Sequence, residues 1–448
     1  MAATDEPAGE EATLLDALAR APAAAALVVA ALGLEERRAL RLAHPQLRDA
    51  VDAEITKLEG DAEAACAPMP RCRPRLEALT IAQPYATAIV ALGNQAWPSL
   101  RTLRLAYCDT YPVAAALRGM PVLRALELEG VALSDEAAAS LFRAWPAAAP
   151  RLRSLALKRA DLSLVTVRAL AASGWRLEEL DLSEDGRVGD AGVAALVESP
   201  SLALRRLALG SCKLSPAAVL AIADAPWLLE ELRLPHNDLS ADAAEPALAA
   251  LSQRRPGLRR LDLNHCHLSG ASFKVLVEAD WPALTSLSTA WAKVEFKGRR
   301  ALGAAAFAGL PALEELNLEG VLMGAAGARA VAAASRRWPR LRELSLRNAI
   351  YTSDLLPAFD LRMETAASAV ALARGSWPAL KGLDLGDNWI DKEGIAALAH
   401  GVWPLLEWLD LGGHRFLALL KLQDVRRWAP ALLELKLGWS KTNRRRWW

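Results

Sequence analysis

One phrase recurs along most of the chain: a leucine, two variable residues, a leucine, one variable residue and a leucine. Fourteen copies run from Leu76 to Leu432, among them LEELRL at Leu229 and LRRLDL at Leu258. Successive copies begin 23 to 29 residues apart, with one spacing of 39 residues between Leu341 and Leu380. A period of this length indicates a stack of identical strand-and-turn units, in which each unit is stabilised by its neighbours.

Each period is predicted to hold one strand and one helix. The alternating leucines of the phrase are typical of a short strand with one buried face. Alanine-rich segments such as ADAAEPALAALSQR follow the strands with helical spacing. Parallel strands stack about 4.8 Å apart, whereas packed helices need about 8–10 Å, so the stack must curve. We expect strands on the concave face and helices on the convex face.

The segments LEELRLPHNDLS, from Leu229, and LKGLDLGDNWID, from Leu380, each place an asparagine eight residues after the first leucine. With these asparagines, Asn237 and Asn388, the chain resembles the leucine-rich-repeat superfamily. Full helices and the repeat length are similar to its ribonuclease-inhibitor-like class. The resemblance implies an α/β solenoid, or horseshoe, over residues 70–440, and a role in protein binding.

Composition excludes several classes of function. Apolar residues make up 53% of the chain and the net charge is +1, which favours a large core and disfavours a nucleic-acid partner. The longest apolar run, residues 21–32, is too short to cross a bilayer, and acidic residues precede it. We therefore expect a cytoplasmic or nuclear protein without a membrane span.

Catalytic motifs are absent from the sequence. It has no phosphate-binding glycine loop, no GxSxG and no HExxH. We therefore predict that the chain is not an enzyme, with no catalytic residue, cofactor or metal site. The triplet His265-Cys266-His267 resembles a metal cluster, but an inward Cys266 turns both histidines outward. His236 holds the position of His265 one repeat earlier, so these two rings are expected side by side on the rim.

Two periodic sets of residues are interpreted as structural. The position of Asn237 also holds cysteine in other repeats, and buried cysteine behaves as a small apolar residue. A tryptophan followed by proline stands three residues before several phrases, where the proline ends the preceding helix. We expect both sets to lie in the core. The cysteines are Cys108, Cys212 and Cys266; the tryptophans are Trp97, Trp281, Trp338, Trp377 and Trp403.

The third and fifth residues of each phrase, and the first residue after it, are predicted to face the concave side. They are mixed in sign with an acidic bias, which favours a protein partner carrying basic groups. An acidic patch is expected at Glu127, Glu129, Glu179 and Asp181, and Trp408 is a candidate anchor. Solvated positions without a partner are the alternative. The predicted binding residues are Glu127, Glu129, Glu179, Asp181, Arg206, Glu231, Arg233, Arg260, Asp262, Glu315, Asn317, Glu319, Glu343, Arg347, Asp384, Trp408 and Asp410.

The amino-terminal part lacks the phrase. Residues 1–12 are predicted to be a disordered acidic tail, and residues 13–65 to be helical. The helical segment resembles the F-box, which docks the adaptor of a ubiquitin ligase, although the usual Leu-Pro opening is missing. The alternative is a plain cap on the first repeat. The residues that would dock an adaptor are Leu27, Val28, Leu32, Leu40 and Leu42.

These features support two functional hypotheses. In the first, the chain is an F-box-like substrate receptor whose concave face selects a target; in the second, it is a scaffold or regulator without a ligase role. Two further segments stand outside the repeat pattern. Residues 349–366 are an insertion, predicted either as a functional rim segment or as a tolerated excursion, and residues 441–448 form a basic, tryptophan-containing tail.

Overall fold

The computed structural model describes residues 57–61, 75–82, 92, 96–107, 120–131, 135–292, 294, 302, 306–350, 358–390, 392–413 and 421–437. The chain forms two compact units, residues 1–177 and 178–448. Every copy of the leucine phrase contributes one strand, and described helices lie between most successive strands from residue 125 onward. The predicted α/β solenoid of parallel strands is confirmed.

The first unit contains five parallel strands that pair in chain order. Two helices among its described residues follow the last two strands. The strands are β1 (Lys57–Asp61), β2 (Ala78–Ala82), β3 (Thr102–Ala106), β4 (Ala125–Glu129) and β5 (Ser154–Lys158); the helices are α1 (Asp135–Ala148) and α2 (Leu164–Ala171).

Strand β1 was not expected. It lies within residues 13–65, which were predicted to be helical, yet it pairs in parallel with β2, with Leu58 opposite Leu79. The prediction of helix is therefore wrong for residues 57–61. The segment KLEGD carries only one leucine of the phrase, so its pairing depends on the backbone edge that β2 offers.

The second unit contains ten parallel strands, each paired with the next. They are β6 (Glu179–Asp181), β7 (Arg206–Ala208), β8 (Glu231–Arg233), β9 (Arg260–Asp262), β10 (Ser286–Ser288), β11 (Glu315–Asn317), β12 (Glu343–Ser345), β13 (Gly382–Asp384), β14 (Trp408–Asp410) and β15 (Glu434–Lys436). Its described helices are α3 (Gly189–Val197), α4 (Pro216–Asp224), α5 (Ala244–Arg254), α6 (Gly270–Glu278), α7 (Gly324–Ala334), a 3-10 turn (Ser335–Arg337), α8 (Ala358–Ala373), α9 (Lys392–Leu398) and α10 (Leu422–Val425).

The leucines of the phrase form columns in the core. Leu180 pairs with Leu207, and the same register continues through Leu232 and Leu261 to the later strands. These leucines are buried to 1% exposure or less, as is Leu344 in β12. Burial of each leucine against its neighbours supplies the apolar area that a single repeat lacks.

Serine and proline residues at the starts of three helices have their usual capping roles. Ser163, Ser215 and Ser269 each cap a helix by accepting backbone N–H bonds of its first turn, and Pro216 follows its cap at the first helical position. These caps fix where each chain segment leaves the strand edge and enters its helix.

The long repeat between β12 and β13 contains the longest described helix, the 16-residue α8. Residues 358–366 of the predicted insertion are thus helical, and residues 351–357 lie outside the described residues. Among the described residues, no helix has both the length and the apolar character that a bilayer crossing requires.

Candidate protein-binding face

Within each unit, the variable residues of the strands lie on the face opposite the buried leucines. In β4, Leu126 and Leu128 are buried while Glu127 and Glu129 are half-buried. Strand β8 shows the same alternation around Leu232. The predicted alternation is confirmed, and we call this side of the sheet the concave face.

The acidic patch expected at Glu127 and Glu129 is neutralised by basic neighbours. Arg104 lies 3.6 Å from a Glu127 carboxylate oxygen and 3.2 Å from one of Glu129. Lys158 lies 3.2 Å from Glu127, and Arg159 lies 3.9 Å from Glu129. The prediction of an acidic surface at this place is wrong, because adjacent strands bring three cations over the two glutamates.

The other half of that predicted patch, in the second unit, is also compensated. Glu179 is ion-paired with Arg206 on the next strand. Asp181 accepts a hydrogen bond from the backbone N–H of Ser183 at 2.9 Å. The charge of Glu179 is therefore compensated by Arg206, whereas the hydrogen bond from Ser183 orients the Asp181 carboxylate.

Strands β7, β8 and β9 carry what we call the mixed wall: Arg206, Glu231, Arg233, Arg260 and Asp262. Glu231 lies between the two arginines on its flanks. Its carboxylate is 4.0 Å from the Arg206 Nε and is ion-paired with Arg233. Arg206 and Arg260 are exposed, so the mixed wall presents guanidinium groups to solvent.

Asp262 is the buried acid of the mixed wall, with 5% of its surface exposed. Burial raises the pKa of Asp262 to about 6, against the opposing effects of a hydrogen bond from the Asn264 backbone and the charge of Arg233. The adjacent strand β10 carries only small concave residues, Ser286, Ser288 and Ala290, all of them buried.

Strands β11 to β14 carry what we call the acidic wall. It comprises Glu315, Asn317, Glu319, Glu343, Ser345, Arg347, Gly382, Asp384, Gly386, Asp387, Trp408 and Asp410. Six of these residues are carboxylates and one is an arginine. The acidic wall is therefore the strongly negative part of the concave face of the second unit.

Arg347 holds three carboxylates of the acidic wall together. Its Nε lies 3.0 Å from Asp384, and its two terminal nitrogens lie 2.6 Å from Asp387 and 2.8 Å from Asp410. A Cβ at Gly386 would lie 2.3 Å from the guanidinium carbon, so the glycine leaves room for this side chain. One arginine thereby bridges three successive repeats.

Burial and charge oppose each other in this cluster. Burial disfavours the charged form of Arg347, but the charges of Asp384 and Asp410 outweigh it and raise its pKa above the usual value. Burial raises the pKa of Asp384 to about 6, although Arg347 lowers it. A buried charge cluster of this kind is held by geometry, and removing one partner would leave the others without compensation.

Trp408 crosses the acidic wall in the opposite direction. From β14 its indole passes over Gly382 of β13, and its Nε1 lies 3.4 Å from a Glu343 oxygen on β12. The side chain is half-buried. The predicted anchor thus lies on the concave face, with its position set by a glycine on one side and a carboxylate at its edge.

Five predicted binding residues are less accessible than the sequence indicated. Each is at most 7% exposed. They lie beneath the accessible surface of the concave face. These residues are Asp262, Asn317, Arg347, Asp384 and Asp410.

The asparagine and cysteine ladder is structural, as predicted. Asn237 accepts from the backbone N–H groups of Cys212 and Leu214 at 3.1 and 2.9 Å, and donates to the Leu209 and Leu234 carbonyls. Burial raises the pKa of the Cys212 thiol to about 12, and that of Cys266 likewise. These thiols remain protonated and serve packing.

The tryptophans before proline pack in the core, as predicted. Trp97, Trp281, Trp377 and Trp403 are each at most 3% exposed. Each donates its Nε1–H to the carbonyl five residues earlier, at 2.8 to 3.0 Å. The indole therefore fills the space below the strand and also satisfies a carbonyl near the end of the preceding helix.

The two rim histidines lie as predicted. The rings of His236 and His265 are stacked, with centroids 4.3 Å apart and planes inclined by 8°. Among the described residues, no group of three histidine, cysteine, aspartate or glutamate side chains is arranged to hold a metal ion.

Sequence reasoning did not identify the rim row to which these histidines belong. The seventh residue after the first leucine has a positive φ in repeat after repeat, which turns the chain away from the strand. A partial signal was available, since seven of the twelve residues in the row are glycine, histidine, asparagine or aspartate, which adopt a positive φ more readily than most residues. The row is Tyr107, Gly130, Arg159, Glu184, Ser211, His236, His265, Trp291, Gly320, Asn348, Asp387 and Gly413.

The proposed adaptor-docking residues, from Leu27 to Leu42, lie outside the residues that the structure describes. So do the tail, residues 441–448, and Cys108 of the predicted cysteine ladder. For these positions the expectations from the sequence stay predictions.

Comparisons with known proteins agree with the fold. A family model described as Leucine Rich repeat matches residues 379–399, which include β13 and α9. Ribonuclease inhibitor from Sus scrofa is 29% identical over 186 residues, covering 38% of this chain and 41% of that protein. NACHT, LRR and PYD domains-containing protein 5 from Bos taurus is 30% identical over 234 residues, covering 49% of this chain and 21% of that protein. The chain thus matches less than half the length of these curated relatives.

Among solved structures, the Rad7 and Elc1 complex in yeast aligns with 93% of this chain and 95% of that chain, at 15% identity and a TM-score of 0.41. The sequence matches and the strand-and-helix unit repeated at each leucine phrase make this chain similar to leucine-rich-repeat proteins, with repeats that resemble the ribonuclease-inhibitor-like class.

Proposed function

We propose that the chain binds a protein partner on the concave face of the second unit. The observation that carries the proposal is the set of large polar side chains on β7 to β9 and on β11 to β14, held on strands whose leucines are buried on the opposite face. Because the backbone below is rigid, little conformational entropy is lost when a partner contacts such a surface. The relative from Sus scrofa is named an inhibitor of ribonuclease, which favours a protein ligand here as well.

A photo-crosslinking residue placed at Arg233 tests this proposal, with one at Lys274 as the matched control. Both side chains are partly exposed, but Lys274 lies on α6, away from the concave face. We expect a protein adduct from position 233, identified by mass spectrometry, and none from position 274. Equal adducts from both positions would contradict binding on the concave face.

The finer proposal is that residues 13–65 act as an F-box-like segment and that the chain is a substrate receptor of a ubiquitin ligase. One feature supports it: β1 already covers the backbone edge of β2, so capping that edge does not require the residues from Leu27 to Leu42. A scaffold or regulator without a ligase role is the alternative. The cytoplasm or nucleus remains the proposed location.

Co-purification with a ligase adaptor distinguishes a substrate receptor from a scaffold or regulator. The substitution Leu40→Asp places a charge in the proposed docking face and should abolish adaptor binding. Glu179→Gln, a change on the concave face, should leave adaptor binding intact. If neither wild type nor Glu179→Gln retains the adaptor, the scaffold function is favoured.

A further inference from the structure

On the basis of the proposed function, we propose that the partner presents a basic segment, rich in arginine or lysine, to the acidic wall, and that one of its cationic side chains packs on Trp408. The partner class is thus a protein segment of positive charge. The mixed wall, separated from the acidic wall by strand β10, does not contact this basic segment.

The charge of the acidic wall favours a cationic ligand. Its six carboxylates face one guanidinium, and Arg347 is already held by Asp384, Asp387 and Asp410. The next strand adds no net charge, since Glu434 and Lys436 are paired at 3.5 Å. Carboxylates on strands about 4.8 Å apart sum to a local negative potential, although the whole chain is near neutral.

Trp408 offers the aromatic surface that a cation prefers. The indole ring lies against Gly382, where no side chain intervenes, and its Nε1 lies 3.4 Å from a Glu343 oxygen. The side chain is half-buried, so part of the ring remains exposed on the concave face. A guanidinium or ammonium group over a tryptophan face, with a carboxylate at its edge, is stabilised by both.

A buried hydroxyl group is a second, independent observation that favours a polar ligand at the acidic wall. Ser345 on β12 lies at the centre of the acidic wall, in register between Asn317 and Asp384. It is fully buried, and its Oγ has no hydrogen-bond partner among the described residues. An unsatisfied buried hydroxyl is unfavourable, and a shift of the side chains that cover it when the basic segment binds would give it a partner.

The arginines of the mixed wall limit how far a basic segment can extend along the sheet. Arg206, Arg233 and Arg260 lie there, and two of them are exposed. Between the two walls, strand β10 carries the small residues Ser286 and Ser288. A cationic segment is therefore attracted at β11 to β14 and repelled at β7 to β9, which fixes its position along the ladder.

Two labelled peptides test the proposal on the full chain. One alternates arginine and alanine, the other glutamate and alanine, each with about eight residues, which in extended form reach across four strands. We expect the basic peptide to bind, with affinity falling as salt is raised, and the acidic peptide not to bind. Trp408→Ala should weaken the basic peptide about fivefold or more, and Trp408→Phe should restore part of the loss.

A matched set of charge removals separates this site from general attraction. The triple change of Glu315, Glu319 and Glu343 to glutamine should weaken the basic peptide about fivefold or more. The triple change of Glu136, Glu198 and Glu393, all exposed on or beside helices, removes the same charge and should alter it less than about twofold. Equal losses in both triples, or none in either, would overturn the proposal. In that case an adduct from position 233 would still support a protein partner on the concave face, so the two proposals can fail separately.

Discussion

Trp408 and Gly382 form a contact that only glycine permits. A Cβ at position 382 would lie 2.2 Å from the indole Cε2 and equally close to a Glu343 oxygen. The absent side chain on β13 therefore lets one residue of β14 reach across to β12. This contact shapes the acidic wall.

Gly382→Ala should disturb both the fold and the wall. Overpacking at so close a contact costs about 1–3 kcal/mol, and the indole must leave Glu343. Urea denaturation and the tryptophan emission spectrum measure the two effects. Gly257→Ala is the control, because a Cβ at position 257 meets nothing within 4 Å and should change stability by less than about 0.5 kcal/mol. Similar losses in both variants would contradict the contact.

Leu261→Ala should destabilise the second unit by about 2–5 kcal/mol, since Leu261 is fully buried in the leucine column and its loss leaves a cavity. Glu231→Ala, on the opposite face of the neighbouring strand, should cost less than about 1 kcal/mol, because its ion pairs are partly solvated. Denaturant titration compares the two. Equal losses would show that the facing of the strands is misassigned.

Asn237→Ala should cost at least about 2 kcal/mol, because it leaves two buried backbone N–H groups and the Leu209 carbonyl without their partner and removes the amide donor to the Leu234 carbonyl. Cys266→Ala, one repeat later at the same position, should cost only about 1 kcal/mol, since the thiol makes only weak hydrogen bonds, to the Leu234 and Asn264 carbonyls. Hydrogen exchange of the Cys212 and Leu214 amides should accelerate in Asn237→Ala alone. If these amides stayed equally protected from exchange, the structural role assigned to Asn237 would be contradicted.

Asp262→Asn should change how stability depends on pH. The folded pKa of Asp262 is raised from 3.8 to about 6, so the folded state binds the proton more tightly and its stability falls as pH rises from about 4 to about 6. Asparagine keeps an oxygen for the Asn264 N–H but does not titrate. The stability of Asp262→Asn relative to wild type should therefore increase over this range, by up to about 2–3 kcal/mol. If urea titrations gave the same difference in stability between Asp262→Asn and wild type at every pH from 4 to 7, the pKa of Asp262 would be an ordinary one.

Trp377→Phe should cost about 1 kcal/mol for the lost hydrogen bond from Nε1 to the Leu372 carbonyl, plus a small packing loss. Trp377→Ala should cost about 3–5 kcal/mol, because its ring also stacks on Trp403, with centroids 6.0 Å apart. Thermal unfolding by circular dichroism distinguishes them. A phenylalanine variant as unstable as the alanine variant would mean that the hydrogen bond, not the ring volume, dominates.

Much of the fold could be read from local pattern. The period of the leucines determines which residues enter the core, and Leu232 and Leu261 lie where that period puts them. The role of Asn237 followed from its recurrence, and the core position of Trp377 from the proline after it. Strand β1 was missed because it lacks the phrase and depends on the edge of β2. The character of the candidate site was only partly predictable, since strand order says which residues are neighbours and not which of them touch.

The sequence by itself determined the repeat, the strand and helix of each unit, and the face on which every variable residue lies, because these depend on spacing within one repeat. Only the tertiary structure decided that Glu127 and Glu129 are neutralised, that Arg347 joins three aspartates, and that Trp408 crosses Gly382. These contacts join residues more than twenty positions apart, whose long side chains choose among several neighbours. The geometry of adjacent strands makes that choice, and no periodicity encodes it.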